Sequence, residues 1–363
     1  MPTAIEHFSR IRVENTTLQV MADARRDLAR LIREEESVVR HFVQAGNWPH
    51  KWVNMFVLED LQPLAAQIKN ANALSSFVAD DIDRRPMVNV YDAADLSECA
   101  IFVNRGALKQ DGIWRDALAL RGLLAHEHGH PLAENPTVHA ARALGVEVAT
   151  ENRPANAAID AILHLLADRL CVHAPQEVFA NEVAVRAGFG DALFHLDQGA
   201  IEKAKLGVSK RPALVQGLDK QVKEGKLDAG QAAALLLVGD LQAHLPFVLE
   251  TTPFLRAGER HQAQVLEAAL SEGIWPHLDP LAMRLYENLR DHYRELQPAW
   301  TAAEMKAWAE TALAFLAEAL RERNLQVRFT LVAARTNTKP QRALRPVPAA
   351  SRNSTLHCNG GLP

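Results

Sequence analysis

The chain has 363 residues, 48% of them hydrophobic, and its 40 basic residues nearly balance 44 acidic ones for a formal charge of −4. This composition supplies enough apolar material for one large domain or two smaller ones. The balanced charge gives no overall electrostatic field that would attract nucleic acid or an anionic membrane, and no apolar run is long enough to span a bilayer, so we expect neither as a partner.

The N-terminal residues lack the apolar stretch of a secretory signal, which predicts a cytoplasmic protein. The cysteines, Cys99, Cys171 and Cys358, are widely and irregularly spaced. A disulfide framework or a CxxC metal site would need closer and paired spacing. We therefore expect all of them to be reduced thiols.

Residues 1–85 are predicted to form an N-terminal helical region. Apolar residues recur at three- and four-residue steps across residues 17–45, which is typical of a long amphipathic helix. A second helical stretch is predicted over residues 51–79, with Pro63 as a break or kink.

Residues 86–190 are predicted to form the core around a small sheet. The segments 86–91 and 99–104 are short, β-branched and bounded by turn-forming residues, so they are predicted strands. Helical spacing then returns. The helices predicted in this region span residues 113–129, 137–148, 154–172 and 176–188.

Residues 191–334 are predicted to form a C-terminal helical region. Its helical segments span residues 191–206, 213–224, 229–247, 258–273, 278–296 and 302–323. Residues 335–363 shift to Arg, Pro, Asn, Ser and Thr without a periodic apolar face, which predicts a disordered tail. The predicted fold is therefore predominantly α with a small β-sheet, an α+β fold.

The segment at residues 123–132 reads LLAHEHGHPL and carries the chemistry of this chain. His126 and His130 stand four residues apart, so a helix would place both imidazoles on one face within reach of a single metal ion. Glu127 is rotated by about 100° from His126 on such a helix and lies beside that ion. This spacing predicts a zinc site in which Glu127 takes a proton from a metal-bound water.

The HEHGH motif and the strands that precede it resemble the zincin metallopeptidases over residues 86–172. The resemblance implies a zincin-like core with an edge strand beside the substrate cleft, zinc bound by His126 and His130, and Glu127 as general base. It also implies a peptide or protein substrate. Residues 89–114 and 123–136 further resemble uncharacterised bacterial HExxH proteins, which implies no particular substrate.

Pro131 directly follows the second histidine and departs from the usual zincin helix. Its ring disfavours the α conformation at His130, and it has no N–H to bond the carbonyl of Glu127. We therefore expect the motif helix to end at Gly129 or His130.

A catalytic zinc commonly has three protein ligands, so a further His, Asp or Glu is required. The helix predicted at 154–172 carries Asn156, Asp160, His164 and Asp168 at successive four-residue steps. A carboxylate on such an apolar helix needs a partner, because an unpaired buried charge costs several kcal/mol. Some zincins have an Asn and an Asp four apart on a second helix, and this resemblance makes Asp160 the predicted third ligand.

Other third ligands remain open. Glu182 lies in an Asn-Glu pair that resembles the glutamate-ligand zincins, although Val185 and Arg186 replace the small residue and Asp expected downstream. Glu151 is a weaker choice in a predicted loop, and Asp168 and His164 complete the set. Asp168 could instead orient a ligand histidine.

The sequence identifies no single group to stabilise an oxyanion. The candidates are His164, His173, His195 and Tyr286. Peptide deformylase also uses HExxH with an upstream cysteine, but the residues around Cys99 do not resemble that family's segment. The sequence therefore predicts a zinc hydrolase, with a non-catalytic regulatory or scaffolding protein that has a structural or degenerate metal site as the alternative.

Overall fold

The computed structural model describes residues 5–46, 48–71, 74, 76–151 and 157–334. It is 66% helical, with a five-stranded mixed sheet and a small two-stranded sheet, so the predicted α+β class is confirmed. The predicted tail at 335–363 lies outside the described residues.

The five-stranded sheet has the order β1-β2-β3-β5-β4. Its strands are β1 (His7–Val13), β2 (Thr16–Ala22), β3 (Trp52–Leu58), β4 (Met87–Asp92) and β5 (Asp95–Asn104). β2, β3 and β5 are parallel neighbours, whereas β1 and β4 pair antiparallel at the two edges. The strands predicted at 86–91 and 99–104 are confirmed as β4 and β5.

The purely helical N-terminal region was a wrong prediction, because β1, β2 and β3 belong to the same sheet as β4 and β5. The apolar residues of β2 and β3 are buried on both faces, and such central strands show no clear alternation. Pro63 does not kink a helix but lies in the first turn of α2, where its missing N–H costs little.

Fifteen α-helices are assigned within the described residues. The first eight are α1 (Leu28–Gln44), α2 (Gln62–Asn70), α3 (Ser76–Arg84), α4 (Arg105–Gln110), α5 (Ala117–Leu132), α6 (Pro136–Arg142), α7 (Ala157–Ala167) and α8 (Ala174–Ala184). The others are α9 (Gly190–Ser209), α10 (Arg211–Lys223), α11 (Ala229–His244), α12 (Val248–Ala257), α13 (Arg260–Gly273), α14 (Pro280–Tyr293) and α15 (Ala302–Arg321).

Helix α5 carries the HEHGH motif through the centre of the molecule. Asp116 caps its start by accepting hydrogen bonds from the N–H groups of Leu118 and Ala119. Gly129 lets the backbone of α8 approach closely, since a Cβ there would lie 2.4 Å from the carbonyl oxygen of Ala180. The absence of that side chain places α8 directly against the motif.

A second, two-stranded sheet was not predicted. It pairs β6 (Leu144–Thr150) antiparallel with β7 (Val327–Ala333), so the helix predicted at 137–148 ends with α6 and is followed by a strand. β6 lies in the predicted core (residues 86–190) and β7 in the predicted C-terminal region (residues 191–334). This sheet therefore links the two predicted regions.

One stretch, Ala229–Ala257, is apolar and long enough to cross a membrane by length and composition. However, 67% of its most apolar window is buried inside the protein. A buried core helix passes the same test of length and composition.

Candidate metal centre and active site

Helix α5 continues to Leu132 with Pro131 inside it, so the expected end at Gly129 or His130 was wrong. The reason lies in a tertiary contact. Pro131 leaves the carbonyl of Glu127 without its helical donor, and the side-chain amide of Asn89 on β4 donates to that carbonyl at 3.0 Å. The edge strand thereby satisfies the backbone group that the proline frees.

The two motif histidines and Glu177 converge on one point. His126 Nε2 and His130 Nε2 lie 3.2 Å apart, and Glu177 Oε2 lies 3.4 Å from the first and 3.9 Å from the second. Donors about 2.0–2.2 Å from a tetrahedral zinc ion are separated by about 3.3–3.5 Å. These three donors therefore fit a zinc ion in chemistry and, to within a few tenths of an ångström, in spacing.

Asp160, the predicted third ligand, does not reach this point, and the carboxylate that the structure brings to the two histidines is that of Glu177. Asp160 lies in the first turn of α7, and its carboxylate instead accepts a hydrogen bond from the hydroxyl of Thr150 at the end of β6. That bond supplies the partner that its position on an apolar helix requires.

The alternative ligands are also engaged elsewhere. Glu182 is held by Arg256 at 2.7 Å and Arg186 at 2.8 Å, and Glu151 pairs with Arg328 at 3.3 Å. Asp168 pairs with His173 at 3.0 Å and does not orient either motif histidine. Asn156 lies outside the described residues.

Helix α8 orients the histidines as well as supplying the carboxylate. Asn181 Oδ1 lies 2.7 Å from His126 Nδ1, a contact in which the ring N–H donates and leaves Nε2 free to bind a metal. The side-chain nitrogen of Gln176 lies 3.3 Å from His130 Nδ1, and metal binding through His130 Nε2 requires this amide to turn so that its oxygen accepts from the ring N–H. One face of α8 therefore presents Gln176, Glu177 and Asn181 to the motif.

The charges of these groups suit metal binding. Burial lowers the pKa of His130 to about 3, so this imidazole is neutral at pH 7. Burial opposes ionisation of Glu177, but His130, His126 and Arg85 together hold the pKa of its carboxyl below the usual value. A neutral imidazole and an ionised carboxylate are the forms that bind zinc.

Glu127 lies beside the candidate metal ligands. The backbone N–H of Asn89 donates to its Oε2 at 2.9 Å, so the edge strand orients the carboxylate. Burial raises the pKa of Glu127 to about 7, against the opposing effect of His126 and Arg85. A cation bound at the neighbouring histidines would favour the ionised form of Glu127, which is the form that accepts a proton.

These groups open into a cleft of about 720 Å³, which is within the range of small-molecule and peptide-side-chain sites. Residues 88–91 of the edge strand form one wall, α3 and the turn after it form another, and Glu127, His130 and Glu177 form the floor. The sheet order places no strand of the described structure on the outer side of β4. Its outward backbone groups therefore border the cleft.

The candidates for stabilising an oxyanion separate into two groups. His164 and His173 line the cleft, whereas His195 pairs with Asp116 at 2.7 Å and Tyr286 is buried 2.6 Å from the hydroxyl of Thr251. The sequence did not point to Arg85, which lines the cleft 3.4 Å from Glu177. Desolvation of this partly exposed side chain lowers the pKa of Arg85, but Glu177 and Asp81 outweigh it and hold the pKa above its usual value.

The sequence contained a signal for Glu177 that was not used. Glu177 and Asn181 are four residues apart, so any helix over this segment places them on one face. Glu182, the alternative third ligand considered from the sequence, directly follows Asn181 and therefore points about 100° away from that face.

No protein family, curated protein or solved structure matches this chain. The functional argument therefore depends on the geometry of the site.

Proposed function

We propose that the protein is a zinc-dependent hydrolase of the metallopeptidase type. The observation that carries this proposal is the convergence of His126, His130 and Glu177 at zinc-ligand spacing. When bound, zinc would supply a Lewis acid that polarises a carbonyl and lowers the pKa of water.

Glu127 would act as the general base in this reaction. Its carboxylate would take a proton from the attacking water and later deliver it to the leaving amine. The hydrogen bond from the N–H of Asn89 to Oε2 of Glu127 fixes the orientation of this carboxylate. The presence of Glu127 favours a catalytic over a structural site, because a purely structural zinc site needs no base there.

A peptide would bind in an extended form along the outer side of β4. In an antiparallel strand, alternate residues direct both N–H and C=O to the same side, so Tyr91 faces the same side as Asn89. Such a peptide would add a strand to the sheet, as in β-augmentation. Arg85, charged and on the cleft wall, is the proposed group for stabilising negative charge on the substrate oxygen.

The test is cleavage of a peptide library by zinc-loaded protein and by Glu127→Gln. We expect the variant to keep its zinc and to lose activity by about 10²- to 10⁴-fold, the usual contribution of a general base. Glu147→Gln, an exposed change on β6, is the matched control and should keep full activity.

Wild-type turnover in Glu127→Gln would remove the assigned base. A zinc-loaded wild-type protein that cleaves no member of the library would favour the alternative, a non-catalytic regulatory or scaffolding protein.

A further inference from the structure

The opposite face of the motif helix carries a second cluster of metal-binding side chains. His128 lies between the two motif histidines in sequence, and its donor atom is within 4.8 Å of those of His50 and Cys99. All three side chains are buried, with exposed fractions of 0%, 2% and 2% respectively. They come from α5, from the loop before β3, and from β5.

Both imidazoles are held in the tautomer that binds a metal. His50 Nδ1 lies 2.5 Å from the backbone carbonyl of Leu96, which can only accept, so Nδ1 carries the proton and Nε2 has the lone pair. His128 Nε2 lies 2.8 Å from Glu35 Oε1, and donation to this carboxylate leaves the lone pair on Nδ1. A histidine whose second nitrogen donates to a carbonyl or carboxylate is the usual arrangement around protein-bound metals.

The two nitrogens that remain have no hydrogen-bond partner among the described residues. His50 Nε2 and His128 Nδ1 are both fully buried and unsatisfied there. A buried polar atom left in this way costs about 1–3 kcal/mol. A shared metal ion would satisfy both atoms together with the Cys99 sulfur.

We propose that His50 Nε2, His128 Nδ1 and Cys99 Sγ bind a second, structural zinc ion. Two imidazoles and a thiolate are a ligand set that zinc accepts. Asn89 Oδ1, which is also buried without a partner in the described structure, belongs to a side chain that contacts the Cys99 thiol and is the candidate for a fourth donor.

The charge of the cluster is compatible with a divalent ion. Glu35 is fully buried, and within the described structure its ion-pair contact is His128 and not an arginine or lysine. Zinc would bind Cys99 as the thiolate, and the two negative groups would then balance its charge of +2.

This second ion would support the active site without taking part in the reaction. Its ligand His128 lies between Glu127 and Gly129 on α5, and the Cys99 thiol interacts with the side chain of Asn89. Asn89 in turn holds Glu127 through two hydrogen bonds. The ion would therefore tie the motif helix to the sheet behind the edge strand.

Cobalt provides the test, because a cobalt–thiolate bond gives a near-ultraviolet charge-transfer band that a site of nitrogen and oxygen ligands does not. The full chain is expressed in minimal medium with cobalt in place of zinc. We expect the His126→Ala, His130→Ala double variant, which lacks the catalytic ligands, to retain one cobalt per chain and the band.

Cys99→Ser should abolish the band and weaken cobalt binding at this site at least tenfold. Cys171→Ser, the control at another buried free cysteine, should keep it. Added cobalt should raise the melting temperature of Cys171→Ser more than that of Cys99→Ser. This comparison still reports on the site if the loss of one ligand perturbs folding. A double variant without the band, or a band that survives Cys99→Ser, would overturn the proposal.

Discussion

The close packing of α8 against Gly129 gives a sharp prediction for Gly129→Ala. The new Cβ would lie 2.4 Å from the carbonyl oxygen of Ala180 and 3.0 Å from its carbonyl carbon. A carbon and a carbonyl oxygen normally stay about 3.3–3.6 Å apart. Helix α8 would therefore have to retreat by roughly 1 Å.

We expect this displacement of α8 to weaken metal binding more than it destabilises the fold. Overpacking costs about 1–3 kcal/mol, and replacing a helical glycine by alanine returns about 0.5–1 kcal/mol. Ala180 lies between Glu177 and Asn181 on α8. A zinc ligand tolerates only about 0.2 Å of error, so the carboxylate would leave its bonding distance.

We expect Gly129→Ala to remain folded and to bind zinc at least about 10- to 100-fold more weakly, the loss typical of a disturbed ligand environment. The assay is competition with a chromophoric chelator in the Cys99→Ser background, in which the proposed second site is weakened and the site of His126, His130 and Glu177 dominates the titration. Gly199→Ala, an exposed change with open space around it, is the control and should keep wild-type affinity. Wild-type affinity in Gly129→Ala would refute the dependence of the site on this approach.

Two further predictions concern the ligand set and the pH dependence of stability. Glu177→Ala should lose zinc to a mild chelator while Asp160→Ala retains it, and the reverse order, measured in the same competition assay, would restore Asp160 as the ligand. Burial and the neighbouring Glu250 raise the pKa of Asp197, and burial raises the pKa of Glu250 to about 7. Both folded-state pKa values lie above the unfolded ones, so the folded protein retains protons that the unfolded chain releases. The free energy of unfolding therefore falls as the pH rises from about 4 through 7. Melting curves at pH 5 and pH 8 should therefore show a smaller loss of stability in Asp197→Asn than in the wild type. The control is Asp219→Asn, an exposed change that should behave as the wild type does. Equal losses in all three proteins would contradict a raised pKa of the buried Asp197 and Glu250 carboxyls.

Local signals in the sequence predicted much of the site. The four-residue spacing of His126 and His130 placed them on one helix face, and β4 and β5 had the β-branched composition of strands. These features depend on neighbouring residues, so they could be inferred from short segments. The helical character of most of the C-terminal region was predicted for the same reason.

Features that depend on distant partners could not be inferred in this way. Apolar burial on both faces made β2 and β3 resemble helical segments. The choice of Glu177 over Asp160 depends on which helix packs against α5, and the continuation through Pro131 depends on an amide from another element. Cys99 was judged by its sequence neighbours alone, whereas its proposed role depends on His50 and His128.

The central claim is that His126, His130 and Glu177 bind zinc, and anomalous diffraction at the zinc absorption edge tests it most directly. Crystals of zinc-loaded protein should show an anomalous peak about 2.0–2.2 Å from His126 Nε2, His130 Nε2 and a carboxylate oxygen of Glu177. Absence of a peak between these three side chains, or a peak bonded to Asp160 in place of Glu177, would contradict it.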